Sequence, residues 1–219
     1  MISLNNNKIP FFSVIICTFN RKNVLLRAIN SLFNQKFEDW EAIIVDDGSD
    51  DGTFELIKEL ASADDRIRYN YHSNRGTGNS RNSGILASAG MFITFLDSDD
   101  EYHPTHLAIR RKVLIDNPGV DLLHGGVKII GNKYVPDAYN PGKKIHLNEC
   151  VIGGTFFFKK QLAIEMGGFS SKRFGDDTDF YQRVYSTGKF IGKIENKTYI
   201  YHRESPDSLC NVILNKNKK

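Results

Sequence analysis

Cysteine is scarce in this 219-residue chain: Cys17, Cys150 and Cys210 are far apart and odd in number. That excludes a disulfide framework and zinc-ligand spacing, and it fits a reducing cytosol. Cys17 lies inside an apolar run and reads as a small core residue. No apolar run reaches the ~18 residues that a membrane helix needs. The opening Met1 to Lys8 is polar and Asn-rich, so no secretory leader is expected. Net charge is low: a formal +3 does not argue for nucleic acid, and neither an RNA-binding signature nor a recognition-helix pattern occurs. The basic residues come in small groups, Arg110-Arg111-Lys112, Lys143-Lys144 and the tail Lys216, Lys218 and Lys219. Such groups are mostly solvated faces; the alternative is a weak attraction to an anionic membrane surface. Gly-x-Gly-x-x-Gly is missing from the first loop, which disfavours a dinucleotide fold, and no Gly-x-x-x-x-Gly-Lys-Ser/Thr phosphate loop is present. A hydrophobic share of 40% and a charged share of 25% are those of an ordinary soluble globular protein.

The most informative stretch is Met91 to Asp100, Met-Phe-Ile-Thr-Phe-Leu-Asp-Ser-Asp-Asp. It begins as a buried strand and ends in three carboxylates within four positions. Clustered negative charge at the end of a buried strand is costly unless something positive sits beside it. Open α/β sheets bind ligands at the carboxyl ends of their strands. The pattern therefore points to a divalent cation, with a phosphate-bearing ligand on its far side. The plain alternative is a solvated turn before the helix that begins near Pro104.

Three strand–helix units precede this point. Ser13 to Cys17 is a continuous apolar run, the mark of a parallel strand buried on both faces. A helix follows from about Asn23 to Asn34, then a strand from Trp40 to Val45 ending in Asp46-Asp47-Gly48-Ser49. A helix over Thr53 to Ala61, a strand over Ile67 to Tyr71 and a helix over Ser80 to Ala89 lead to Met91. This alternation predicts an α/β fold with a mostly parallel sheet covered on both faces. Thr18/Asn20, Asp46/Asp47, Asn74/Arg75 and Asp97/Asp99 then fall on one rim. After Pro104 the pattern predicts a helix to about Asn117, short strands over Val120 to His124 and Gly126 to Ile130, and a mobile loop from Val135 to His146. A strand over Thr155 to Phe158 and a short helix over Lys160 to Met166 come next. A helical run over Phe180 to Ser186 has the acids Asp176, Asp177 and Asp179 in its first turn, and strands over Lys189 to Glu195 and Thr198 to Tyr201 close the pattern. Residues 1–10 read as an arm, 11–203 as one domain and 204–219 as a frayed tail.

Five segments together resemble the family 2 inverting glycosyltransferases of the GT-A fold: Ser13 to Arg21, Ile43 to Thr53, Asn74 to Gly84, Phe95 to Asp100, and Gly167-Gly168-Phe169 with Asp176 to Phe180. The resemblance covers about Phe12 to His202. It implies a Rossmann-like GT-A domain, with a nucleotide-sugar half over 11–101 and an acceptor half over 102–203. It also implies transfer of a sugar from a nucleotide-diphosphate donor, a UDP-sugar, to a hydroxyl of a saccharide or lipid-linked saccharide, as in surface polysaccharide synthesis. By resemblance Thr18 and Asp47 meet the base, and Asn20 lies with them on the donor side. Gly76 and Arg81 hold nucleoside and diphosphate, Asp97 faces the ribose, and Asp99 binds Mg²⁺ or Mn²⁺. Asp177 is the general base, and His202 approaches the metal or diphosphate. Cys17 stands where many members have proline, and Asp176 where glutamate is usual. The family implies a cytoplasmic protein, with peripheral contact at the inner membrane face as an option.

The chemistry asks for these residue types. A hard cation takes carboxylate ligands and stabilises the charge on a departing diphosphate. Arg81, read as the start of a helix, would add charge-assisted bonds to phosphate. A second carboxylate across the sugar takes the acceptor's proton, and a single displacement inverts the anomeric centre. Each residue has a plainer role as alternative: Asp47 as a loop cap, Arg81 as a surface helix residue, His202 as a satisfied histidine at a strand end. The rival reading of the whole is a catalytically inactive nucleotide-sugar-binding or assembly module of the same fold. A nucleotidyltransferase would need a glycine-rich first loop, and Asn20 to Val24 supplies none.

Overall fold

The computed structural model describes residues 8–140, 142–172, 174–204 and 210. Residues 1–7 of the expected arm, and 205–209 and 211–219 of the expected tail, lie outside the described residues. The strands β1 (Phe12–Thr18), β2 (Trp40–Asp46), β3 (Ile67–Tyr71) and β4 (Phe92–Phe95) alternate with the helices α1 (Lys22–Phe33), α2 (Thr53–Ala63) and α3 (Thr77–Ala87). All four strands are parallel, in the order β3-β2-β1-β4. β1 and β2 lie at the centre of this half, which is why both read as unbroken apolar runs. Successive side chains of a strand point to opposite faces. Val14 and Ile16 accordingly pack with Leu25, Ile29 and Leu32 of α1 on one face. Ile15, between them, packs with Ile85 of α3 and Phe95 on the other. Truncating a fully buried isoleucine of this kind to alanine costs about 2–5 kcal/mol.

The second half comprises β5 (Glu101–Tyr102), α4 (His106–Asp116), β6 (Leu122–Gly131), β7 (Tyr134–Pro136), β8 (Lys144–His146), β9 (Phe157–Phe158), α5 (Lys160–Glu165), α6 (Asp176–Ser186) and β10 (Ile191–Arg203), of which β5, β6, β9 and β10 continue the same sheet while β7 and β8 form a separate pair. The full order is β3-β2-β1-β4-β9-β6-β10-β5, with β9 antiparallel to both its neighbours and β5 antiparallel to β10. The result is the α/β architecture expected, a mostly parallel sheet with helices on its faces.

Several elements differ from the sequence reading. The two short strands expected over 120–130 are one strand, β6. Gly125 and Gly126 sit within it at φ 95° and 74°, a left-handed backbone that glycine tolerates, so the strand bends without ending. The two closing strands are likewise one, β10, whose register against β6 shifts between Ile194 and Tyr199. The stretch 135–146 is not a bare loop: β7 and β8 pair as a hairpin, Val135 opposite Ile145, over a small cluster of Val135, Leu147 and Ile152. The strand expected over 155–158 is shortened to β9, because Gly153–Thr155 form a 3₁₀ turn. The last long helix, by contrast, begins at Asp176 and carries the acids in its first turn, as expected.

Candidate active site

The C-terminal ends of the first four strands are tied together by short polar contacts. Asp46, at the end of β2, accepts from the Ser49 amide at 2.8 Å and the Tyr69 hydroxyl at 2.7 Å. Asp47 takes the amides of Arg75 at 2.7 Å and Gly76 at 2.8 Å, one on each oxygen, and His72 Nδ1 lies 3.2 Å away. Both oxygens of Asp47 therefore shape the loop that enters α3. Gly76, at φ 85°, is the residue before that helix, and the left-handed turn there suits glycine. Asn20, at φ 50°, accepts the Asp50 amide on its side chain at 2.9 Å, pinning the first loop to the second. Thr18 donates no side-chain hydrogen bond: its Oγ1 is buried and without a partner, an orphaned hydroxyl at the strand end.

Arg81 lies in the second turn of α3, not at its start. It is buried, and its guanidinium sits 5.3 Å from the centres of both the Phe95 and Phe169 rings. Its Nη1 donates to Asp176 at 2.8 Å, and its Nη2 lies 3.4 Å from Asp97. One arginine thus links the strand end after β4 to the start of α6. Asp176 and Asp177 are adjacent on that helix and so point about 100° apart. Asp176 goes to Arg81, while Asp177 faces a cleft of about 670 Å³. Asp177 accepts from the Gly153 amide at 3.1 Å and the Thr178 amide at 2.7 Å. Burial, and then repulsion from Asp176, push its carboxyl up to about 6 against the opposing pull of Arg81. Asp179 is committed elsewhere, to Lys172 at 2.8 Å and Arg183 at 2.9 Å. Asp97 lines the same cleft as Asp177, as do Tyr181, Tyr185 and the aliphatic Val135 and Ile152.

The acidic strand end after β4 divides its three carboxylates among three jobs. Asp97 remains partly exposed; burial and the neighbouring Asp99 raise its pKa while Arg81 lowers it. Asp99 is bonded by the guanidinium of Arg21. Asp100 is fully buried, accepting from the Tyr199 hydroxyl at 2.7 Å and the His202 amide at 2.8 Å. Burial raises its pKa well above the usual carboxylate range. His202 is oriented by Glu101, with Nε2 2.7 Å from that carboxylate, and its Nδ1 is buried without a hydrogen-bond partner.

This donor set fits a hard divalent ion in part. Asp99 would supply an oxygen ligand, and a carboxylate holding one imidazole nitrogen, as Glu101 holds His202, is the usual way a ligating histidine is oriented. Among the described residues, however, no three histidine, cysteine or acidic side chains are grouped as a complete cation site. Arg21, Asp100, Tyr199 and Gly153 were not singled out from sequence. Tyr199 meets Asp97 and Asp100 across about a hundred positions of chain, a distance over which pattern carries no signal.

Comparison with known proteins agrees with this fold. Residues 13–167 match the model of glycosyl transferase family 2. A Campylobacter jejuni protein named GalNAc(5)-diNAcBac-PP-undecaprenol beta-1,3-glucosyltransferase is 31% identical over 193 residues, 83% of this chain and 62% of that protein. The Bacillus subtilis uncharacterized glycosyltransferase EpsJ is 38% identical over 222 residues, 93% of this chain and 64% of that protein. The chain thus spans less than two thirds of either relative. Among solved structures, S. aureus TarS 1-349 in complex with UDP superposes with a TM-score of 0.74 at 22% identity, over 89% of this chain and 61% of that one. The mannosyltransferase PcManGT from Pyrobaculum calidifontis, in complex with GDP-Man and Mn²⁺, gives 0.69 at 20% identity, over 92% and 59%. Those two likenesses speak to fold. With the family model covering most of the chain, the conclusion is direct: this chain belongs to glycosyl transferase family 2.

Proposed function

We propose that the protein is a metal-dependent inverting glycosyltransferase. It moves a sugar from a UDP-sugar to a hydroxyl of a saccharide or lipid-linked saccharide, as in surface polysaccharide synthesis. The observation that carries this reading is that Asp97, at the donor-side strand end, and Asp177, on the acceptor-side helix, line one cleft. A donor at the strand ends would place its anomeric carbon between them. The acceptor hydroxyl attacks that carbon from the Asp177 side and passes its proton to the carboxylate as the new C–O bond forms. The bond from the anomeric carbon to the diphosphate oxygen breaks on the opposite face, so configuration inverts and UDP leaves. A raised pKa suits a base working near neutrality.

Asp99 and His202 are the residues that would hold Mg²⁺ or Mn²⁺, with Asp97 turned to the ribose; the ion, when bound, would stabilise the charge gathering on the departing diphosphate. Asp47, Asn20 and Gly76 shape the loops around the nucleoside, and the orphaned Thr18 hydroxyl is matched to a base edge. Arg81 serves by holding Asp97 and Asp176 in place, since both its ends are committed to them. Residues 11–101 form the donor half of this reading and 102–203 the acceptor half. The PP-undecaprenol in the name of the Campylobacter relative supports a lipid-linked acceptor, and UDP in the TarS complex supports the donor. An acceptor of that kind would bring the protein to the inner face of a membrane, while no helix among the described residues is long and apolar enough to cross one.

Calorimetry in the presence of Mn²⁺ tests the donor. UDP should bind at least about tenfold more tightly than CMP or GDP, a difference of about 1.4 kcal/mol. Equal binding of all three would overturn the uridine assignment.

A further inference from the structure

The carboxylate best placed for a cation is already held by one. Arg21 is the residue before α1, and its side chain reaches across to Asp99; the two side chains are 20% and 11% exposed. The Arg21 carbonyl starts the helix by accepting from the Val24 and Leu25 amides, both at 3.0 Å, so the backbone that carries the side chain is anchored. Less than two turns later, Arg27 donates to the Asp99 carbonyl and lies 3.6 Å from Glu101. Glu101 in turn holds His202. The start of α1 therefore grips the Asp99 loop at the carboxylate and at the backbone.

A guanidinium and a divalent ion compete for the same oxygen lone pairs, and two cations on one carboxylate repel each other. A nucleoside diphosphate changes that balance, because it brings the negative charge that lets both cations stay. On the reading that Asp99 is a metal ligand, we propose that Arg21 is the resident counter-cation of the nucleotide-free protein. It yields Asp99 to the divalent ion only when a diphosphate arrives to receive the guanidinium. Metal and nucleotide then bind as a linked pair, and metal alone binds poorly. Reciprocity follows: the factor by which UDP tightens the ion is the factor by which the ion tightens UDP. This goes beyond a list of ligands, since it assigns Arg21 the order in which the site fills.

The experiment is Mn²⁺ binding read by electron paramagnetic resonance for wild type and Arg21→Met, each with and without UDP, corrected for the Mn²⁺–UDP complex in solution. Arg21→Met keeps the backbone contacts that start α1 and removes the charge; a thermal melt checks its fold. Without UDP, the variant should bind Mn²⁺ about tenfold more tightly than wild type, as expected for removing an adjacent like charge. UDP should then tighten Mn²⁺ by a smaller factor in the variant. Equal nucleotide-free affinities, with UDP-dependent binding intact in both, would overturn the role of Arg21 and leave the metal site standing. Absence of Mn²⁺ binding in every sample would overturn the metal site and this role with it. A second measurement needs no variant: the Arg21 side-chain Nε–H resonance of wild type should move when Mg²⁺ and UDP are added together and stay in place with Mg²⁺ alone. Movement with Mg²⁺ alone would contradict the proposal.

Discussion

The backbone amide of Gly153 donates to the Asp177 carboxylate at 3.1 Å, and the two residues pack so closely that a side chain at 153 would press on its neighbours. A Cβ there would stand 3.0 Å from the Cβ of Asp177 and 3.1 Å from both terminal nitrogens of Arg81. Glycine at 153 is what lets the Asp177 carboxylate and the buried arginine share one wall. Gly153→Ala should therefore displace Asp177 by a fraction of an ångström. Turnover should fall about 10–100-fold, the cost of a misplaced catalytic group, while UDP affinity stays unchanged. Steady-state kinetics with calorimetry on the variant would check this; unchanged turnover would show that Asp177 needs no such placement.

The pH profile carries its own sign. Asp177 is raised to about 6, so below that pH it is protonated and cannot accept the acceptor's proton. Transfer should fall by about tenfold for each unit of pH lowered below 6, while above 6 this group imposes no further change. Turnover measured from pH 4.5 to 8 under saturating donor would show the limb. A flat profile through pH 6 would remove Asp177 from the proton-transfer step.

Metal removal should act on transfer and leave the fold intact. Excess chelator should abolish turnover, and Mn²⁺ or Mg²⁺ should restore it. Asp99→Asn should lose activity by at least about tenfold while its circular dichroism matches wild type, since the asparagine keeps a hydrogen-bonding partner for Arg21. Full activity in excess chelator would refute a metal role.

The parts of this molecule that were legible in sequence are those built from local pattern. The runs Ser13 to Cys17 and Trp40 to Val45 could be read as buried parallel strands because both faces of β1 and β2 meet core. The polar strand ends stood out because acids following such runs must find a partner. What stayed hidden depended on contacts between distant segments. Arg21 is followed by an ordinary helix, and nothing nearby in sequence announces that it reaches Asp99, 78 positions away. Arg81 read as a helix-start phosphate ligand, but burial between Phe95 and Phe169 and the pull of two carboxylates fix it inward. The hairpin of β7 and β8 was obscured by Pro136 and Gly142, which weaken a strand pattern that cross-strand pairing of Val135 and Ile145 nonetheless supports. The bends at Gly125 and Gly126 made one strand look like two.

The most direct test of the account compares UDP release by wild type, Asp177→Asn and Asp176→Asn, using the UDP-sugar that the protein binds and a panel of saccharide and lipid-linked acceptors. Asp177→Asn should bind UDP as wild type does yet turn over about two to four orders of magnitude more slowly, the usual worth of a general base. Asp176→Asn should keep more activity and instead lose about 1–3 kcal/mol of stability, because it weakens the buried bond to Arg81 without exposing the base. Near-normal turnover by Asp177→Asn beside a dead but folded Asp176→Asn would contradict the account and move the base to Asp176.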